Sequence, residues 1–315
     1  MGYQPEVDAV IVLGDGRRIA YCEWGDRDGR PLILCHGAPA SRFFGPDSDT
    51  TAQAGVRLIT VDRPGYGRSD PKPGRQILDS ADVEELAAAL GVEEFDVAGH
   101  SSGGPYALAC ASDLAERVNR VALISCIAPY GEPTSEQADF DEQLTRLARQ
   151  DLARAAEEIA KSAAWLVKAP ERFLDLPRPE PDVQLLTDPA IRDMFVKTIR
   201  EAVKQGVDAF GWDCALERRP WGLALDEISA DVWIFRGGQD RAVPASQAHT
   251  LAAILPGSHL RLFPDAGHVL ILGNWPNILG DLPIEQTHFG GPVNTSQRQQ
   301  NPEPYGNAWR GSNSA

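Results

Sequence analysis

An α/β fold is what this sequence predicts: a mainly parallel sheet flanked by helices, broken once by an inserted block of helices. Three observations predict it. Short apolar runs recur, most of them ending at loops rich in Gly and Pro. A continuous apolar run, unlike an alternating one, belongs to a strand buried on both faces of a parallel sheet. Helical patterns separate these runs, and strands alternating with helices imply parallel connections. From about Tyr130 to Asp226 the strand signal stops and helical periodicity takes over.

In chain order, Val7 to Leu13, the turn Gly14-Asp15-Gly16, and Arg18 to Trp24 read as a β-hairpin. Pro31 to Cys35 and Arg57 to Val61 are short buried strands. Ser80 to Leu90 is helical, with Val83, Leu86, Ala87 and Leu90 on one face and Gly91 as its stop. Phe95 to Ala98 is a strand that runs into Gly99 and then a helix from about Gly103. Val118 to Ser125 is another strand. Within the insert, Pro177-Arg178-Pro179-Glu180-Pro181 reads as a break. The helix after it is well signalled: Asp188 as N-cap, Pro189 at the first position, and Ile191, Met194, Phe195, Ile199, Ala202 and Val203 on one face, with Gly206 as stop. Strands resume at Asp231 to Phe235 and His259 to Phe263, with a helix from Ala245 to Leu255 between them. The organisation expected is a core of residues 1–129 and 227–282, a helical cap over 130–226, and a polar tail over 283–315. The tail is rich in Gln, Asn, Ser, Pro and Gly with isolated Phe289, Tyr305 and Trp309, a composition that cannot build a core and predicts disorder.

Composition excludes several functions. Apolar residues make up 43% of the 315 and charged residues 24%, as in ordinary globular proteins. Asp and Glu number 45 against 30 Lys and Arg, a formal charge of −15 that repels phosphate backbones and anionic membranes. Neither nucleic acid nor membrane is therefore an expected partner. No run approaches the roughly 18 apolar residues of a membrane helix, and Met1 to Glu6 has neither the basic start nor the apolar core of a signal peptide. Cys22, Cys35, Cys110, Cys126 and Cys214 are odd in number, widely spaced and without metal-ligand spacing. They read as free thiols in a reducing compartment, which makes the cytoplasm the expected location.

The chemistry centres on Gly99-His100-Ser101-Ser102-Gly103. A Gly-x-Ser-x-Gly match alone arises roughly 0.1 times by chance in a chain this long. Its place between a strand and a helix gives it meaning: a tight elbow would lift the Ser101 hydroxyl clear of the sheet at a helix N-terminus, where the Ser102 amide can meet a developing oxyanion. A serine needs a base, and the base a third group to orient it. Among six histidines, His268 is best placed, on a loop just after the last strand. His249 lies inside a helix, His259 opens a strand, His288 is in the tail, and His36 and His100 sit beside tight turns as structural residues. For the acid, Asp240 lies on a Gly-rich loop after the penultimate strand, in the order Ser, Asp, His. The stretch after Cys126 has no carboxylate before Glu132, and Asp265 sits on the approach to His268 itself; it ranks behind Asp240. A second oxyanion amide comes from Ala38 in His36-Gly37-Ala38-Pro39, where Gly37 allows a close backbone approach.

Taken with Asp62-Arg63-Pro64-Gly65-Tyr66-Gly67-Arg68-Ser69-Asp70, these motifs resemble the α/β-hydrolase superfamily from about Val7 to Leu282. The resemblance implies a mostly parallel eight-stranded sheet, a helical cap over the site, no metal and no organic cofactor. It also implies that the Asp62 to Ser69 loop is a turn bracing the site, without chemistry of its own. Serine at position 101 sets the chain apart from the epoxide hydrolases and haloalkane dehalogenases of this fold, which use aspartate there. The expected activity is hydrolysis of a small to medium hydrophobic ester or lactone, with Trp165, Phe173, Phe195, Trp212 and Trp221 of the cap as candidate pocket residues. The same three groups could serve a thioester, an amide or a carbon–carbon bond, and some proteins of this fold only bind a ligand.

Overall fold

The computed structural model describes residues 2–129 and 138–282, and its spine is one sheet. In chain order the strands are β1 (Val7–Val12), β2 (Arg18–Gly25), β3 (Arg30–Cys35), β4 (Val56–Val61), β5 (Phe95–His100), β6 (Val118–Ile124), β7 (Asp231–Gly237) and β8 (His259–Phe263). Across the sheet they run β1-β2-β4-β3-β5-β6-β7-β8, so the sheet has eight strands among the described residues. β2 is antiparallel to both its neighbours and every other pairing is parallel. Gly16, at φ 85°, supplies the left-handed residue that closes the first hairpin.

The apolar runs are buried on both faces, as their continuity predicts. Ile33, Ile59, Val97 and Val121 point into one core with α2 (Ala81–Ala89) and α3 (Gly104–Asp113). Their neighbours Leu32, Leu58, Ala98 and Ala122 point into the other. Successive strand residues take opposite faces because the side-chain period is two. Leu32, Ile33, Leu34, Leu58 and Ile59 are all 0% exposed, each worth about 1.5–3 kcal/mol against leaving it in water. α11 (Leu270–Gly273) and α12 (Trp275–Asp281) pack with the second core, and α1 (Ser48–Gln53) meets α12 where the Trp275 N–H donates to Thr51 Oγ1 at 2.8 Å. α10 (Ala245–Ile254) joins the first.

Between β6 and β7 the chain forms α4 (Ala138–Gln150), α5 (Leu152–Ala163), α6 (Trp165–Lys168), α7 (Glu180–Leu185), α8 (Pro189–Ala202) and α9 (Asp208–Leu216). α8 starts as its sequence predicts: the Asp188 carboxylate accepts the Ala190 amide at 2.8 Å, and Pro189 opens the first turn. α5 and α9 meet closely over Ala155, Ala156, Ile159 and Ala215. A Cβ on Gly211 would stand 2.3 Å from the Ala156 carbonyl oxygen, so this crossing requires glycine.

One expectation changes. The Pro-rich break ends earlier than its composition suggests, because α7 starts at Glu180 with Pro181 in its first turn, where proline's missing N–H costs nothing. The insert and the sheet fall in one compact unit. The tail expected over 283–315, with His288, lies outside the described residues.

Candidate active site

Ser101 occupies the bend between β5 and α3 at φ 54°, a left-handed conformation that few non-glycine residues adopt. Its neighbours explain why the bend can close. A Cβ on Gly99 would lie 2.6 Å from Gly104 Cα, and one on Gly103 would lie 2.0 Å from the Cys35 carbonyl oxygen. The helix after the bend therefore packs onto the end of β3 at a distance only glycine permits. Gly37 follows the same logic: its Cβ would stand 3.1 Å from Ser101 Cβ.

The three side chains proposed from sequence converge at the carboxyl ends of the strands. Ser101 Oγ lies 3.1 Å from His268 Nε2, and His268 Nδ1 lies 3.0 Å from Asp240 Oδ2. With Nδ1–H donating to the carboxylate, Nε2 is free to accept the serine proton. Asp240 is itself pinned, since its Oδ1 accepts the amides of Ala242 at 2.9 Å and Val243 at 3.0 Å. Burial pushes the Asp240 carboxyl up, but the bond from His268, that ring's charge and the two amides outweigh it, and the group sits below the usual carboxylate range. Asp265, the other acid considered, is exposed and lies in a separate, more open groove of about 550 Å³ between α7 and the Phe263–Gly267 loop.

The Ala38 and Ser102 amides meet no protein acceptor among the described residues. The loop carrying Ala38 is held through His36, whose Nδ1–H donates to the Gly37 carbonyl at 2.7 Å while Nε2 accepts the Arg63 amide at 3.4 Å. Burial, then the Arg63 charge, lowers His36 to about 3, so the ring stays neutral and its tautomer is set.

Two residues near His268 escaped the sequence reading. His100, taken as structural, lines the cavity and donates from Nε2 to the His268 carbonyl at 3.2 Å; burial, then the His268 charge, lowers it to about 3. Asp182, from α7, accepts the amides of His268 and Val269. No local signal marks Asp182, because its role arises only when the insert folds over the loop after β8.

A cavity of about 230 Å³ opens at Ser101 and His268. Phe44, Phe173, Leu176, Phe195 and Val269 form its apolar wall, with Arg178 and Arg241 also along it. Of the five cap aromatics expected there, only Phe173 and Phe195 arrive. Trp165 faces a different groove beside Arg172. Trp212 turns its indole N–H to the Arg75 carbonyl at 3.0 Å, and Trp221 is buried in the first core with its N–H on the Glu217 carbonyl at 3.3 Å. Both pack against the first core, Trp212 also against the cluster where α5 meets α9, and neither lines the cavity at Ser101. Phe44 was missed because it lies in a loop without periodicity. Among the described residues no group of three or more His, Cys, Asp or Glu could hold a metal ion.

The family model for the alpha/beta hydrolase fold matches residues 30–274. The chain belongs to the α/β-hydrolase family. Among this hydrolase's relatives is a non-heme haloperoxidase from Rhodococcus erythropolis, 27% identical over 86% of this chain and 97% of that protein. Another is a 2-hydroxy-6-oxononadienedioate/2-hydroxy-6-oxononatrienedioate hydrolase from Klebsiella pneumoniae, 25% identical over 85% of this chain and 93% of that one. Among solved structures, an enol-lactonase from Burkholderia xenovorans superposes with TM-score 0.62 at 20% identity, covering 87% of this chain and 98% of its own. A thermophilic esterase from Thermogutta terrifontis gives TM-score 0.62 at 22% identity over 88% and 96% of the two chains. At such identities the structural likeness is one of fold.

Proposed function

We infer that this α/β-hydrolase is an enzyme that cleaves a small to medium hydrophobic carboxylic ester or lactone through an acyl-enzyme on Ser101. One observation carries the reading: the Ser101 hydroxyl stands 3.1 Å from an imidazole nitrogen whose other nitrogen is 3.0 Å from a buried carboxylate. His268 takes the proton as Ser101 attacks the carbonyl carbon, and Asp240 favours the imidazolium that forms. The oxyanion of the tetrahedral intermediate is met by the Ala38 and Ser102 amides. His268 then protonates the leaving alkoxide, and the bond to the acyl carbon breaks. Water, deprotonated by the same ring, releases the acid and restores Ser101. The size and apolar wall of the cavity support a compact, mainly hydrophobic acyl group. Structural neighbours named as esterases and an enol-lactonase are compatible with this class, while the sequence relatives are named as a haloperoxidase and an oxononadienedioate hydrolase. Five unpaired thiols, four of them buried, fit a reducing compartment, and we place the enzyme in the cytoplasm. No helix among the described residues is long and apolar enough to cross a membrane.

The test is a panel of p-nitrophenyl esters, lactones, thioesters and amides with wild type and Ser101→Ala, together with labelling by a fluorophosphonate. Esters or lactones should turn over fastest, the label should sit on Ser101, and the variant should lose several orders of magnitude. Undiminished hydrolysis by Ser101→Ala refutes the acyl-enzyme. Tight ligand binding without turnover or labelling would make the chain a receptor instead.

A further inference from the structure

Arg63 does not line the cavity, yet it touches both halves of the proposed oxyanion hole. Its Nη1 donates to the His36 carbonyl at 2.8 Å and to the Ser102 carbonyl at 3.2 Å. The first carbonyl lies just ahead of the Ala38 amide in the chain, and the second belongs to the residue whose amide is the other donor. The Arg63 main-chain N–H also meets His36 Nε2, so one residue grips the Ala38 loop from two sides.

The guanidinium itself has little freedom. Its Nη2 is 3.0 Å from Asp213 Oδ2 on α9, and its Cζ lies 4.5 Å from the Tyr106 ring centre and 5.3 Å from that of Tyr66. Asp213 is fully buried, accepts the Tyr106 hydroxyl at 2.7 Å and pairs with Arg75. Arg75 in turn donates to the Ala209 carbonyl of the same helix at 3.1 Å. Burial alone would push the Asp213 carboxyl up; the Arg75 and Arg63 charges hold it below the usual carboxylate range.

We propose that Arg63 is a positioning residue that sets the spacing of the Ala38 and Ser102 amides, and that Asp213 ties this setting to the inserted helix α9. The proposal rests on the acyl-enzyme reading above. A planar guanidinium can reach two carbonyls and a carboxylate at once, which a lysine ammonium on its flexible stem cannot do in the same geometry. Oxyanion stabilisation depends on donors standing within a few tenths of an ångström of the right place, so a loosened clamp costs rate without touching substrate. Asp213 makes the clamp tolerable by neutralising a buried cation that would otherwise stand unpaired.

The full chain is assayed as wild type, Arg63→Lys, Asp213→Asn and Ser101→Ala, with p-nitrophenyl butyrate and with an alkyl trifluoromethyl ketone. The ketone adds to a serine and leaves an oxyanion where the two amides point, so its affinity reads the hole directly. In Arg63→Lys and Asp213→Asn, kcat should fall at least about tenfold while KM stays within about twofold. Ketone affinity should fall by the same factor as kcat/KM. Arg63→Lys keeps a cation opposite Asp213 and so decides the matter if Asp213→Asn fails to fold. Wild-type kcat and ketone affinity in Arg63→Lys overturn the proposal, as does a loss confined to KM or one that spares the ketone. Should Ser101→Ala retain full activity, the acyl-enzyme reading fails first; an inert Ser101→Ala beside an unaffected Arg63→Lys removes the positioning role alone.

Discussion

Asp182, buried in the first turn of α7, accepts the main-chain amide of His268 at 2.9 Å with one carboxylate oxygen and that of Val269 at 3.2 Å with the other. The insert thus holds the backbone of the loop that carries the proposed base, while Asp240 holds its ring. Asp182→Ala leaves two buried amides without acceptors, a loss of about 1–3 kcal/mol for each group stranded. It also frees the imidazole to drift from Ser101. We expect kcat to fall about 10- to 100-fold with KM little changed. Asp182→Asn keeps one acceptor and should fall between. Ester kinetics and urea unfolding of both variants check this.

Asp240→Asn preserves the shape of the acid but turns an amide N–H₂ or a neutral oxygen toward His268 Nδ1. The side-chain oxygen still suits the Ala242 and Val243 amides, which leaves the N–H₂ facing the ring and forces the proton onto Nε2. A ring protonated there cannot accept from Ser101. The expected loss in kcat is about four orders of magnitude, with the melting temperature close to wild type. A variant within tenfold of wild type would show that the acid lies elsewhere.

Glycine has opposite meanings at two helical positions. Gly103→Ala drives a Cβ to 2.0 Å from the Cys35 carbonyl, which is backbone and cannot swing aside. The variant should be strongly destabilised and lose fluorophosphonate labelling. Gly280→Ala in α12 meets nothing within 4 Å and should be neutral or stabilising by up to about 1 kcal/mol. Thermal melts of the pair test whether crowding at the elbow, rather than glycine itself, is what matters.

Stability should depend on pH with two opposing signs. Burial lowers His36 and His100 to about 3, against about 6.5 unfolded. Between those values the unfolded chain binds more protons, so their contribution is complete above about 6.5 and is lost as pH falls toward 3. Burial, aided by the Asp213 charge, raises Glu217 to about 7 from its ordinary 4.5. Here the folded chain binds more protons, so stability declines as pH rises from about 4.5 through 7. Glu217→Gln, which mimics the protonated acid, should gain stability at pH 8, no more than about 3 kcal/mol, and nothing at pH 4. Urea midpoints at pH 4, 6 and 8 measure both effects; an equal gain at pH 4 and pH 8 would rule out the ionisation of Glu217 as the cause.

Much of this could be read from the chain because the signals are local. Ser101, Asp240 and His268 each sit in a short turn directly after an apolar strand, and parallel strands deliver such turns to one edge. Asp182, Arg63 and Asp213 carry no comparable mark; their partners are 86, 39 and 138 residues away. The aromatic residues fail for a related reason. Helical periodicity says that a face is buried, not against what, so Trp212 and Trp221 look like Phe195 in sequence and pack elsewhere. α7 was hidden by its prolines, which mark a break in the chain's interior and a start at a helix's first turn.

The left-handed backbone at Ser101 has a consequence for durability. Holding a side chain at φ 54° costs about 1–2 kcal/mol that a glycine would not incur. Ser101→Gly should therefore melt at a higher temperature than the parent while labelling with nothing and hydrolysing nothing. The native protein keeps its chemistry by staying slightly less robust than its own scaffold permits.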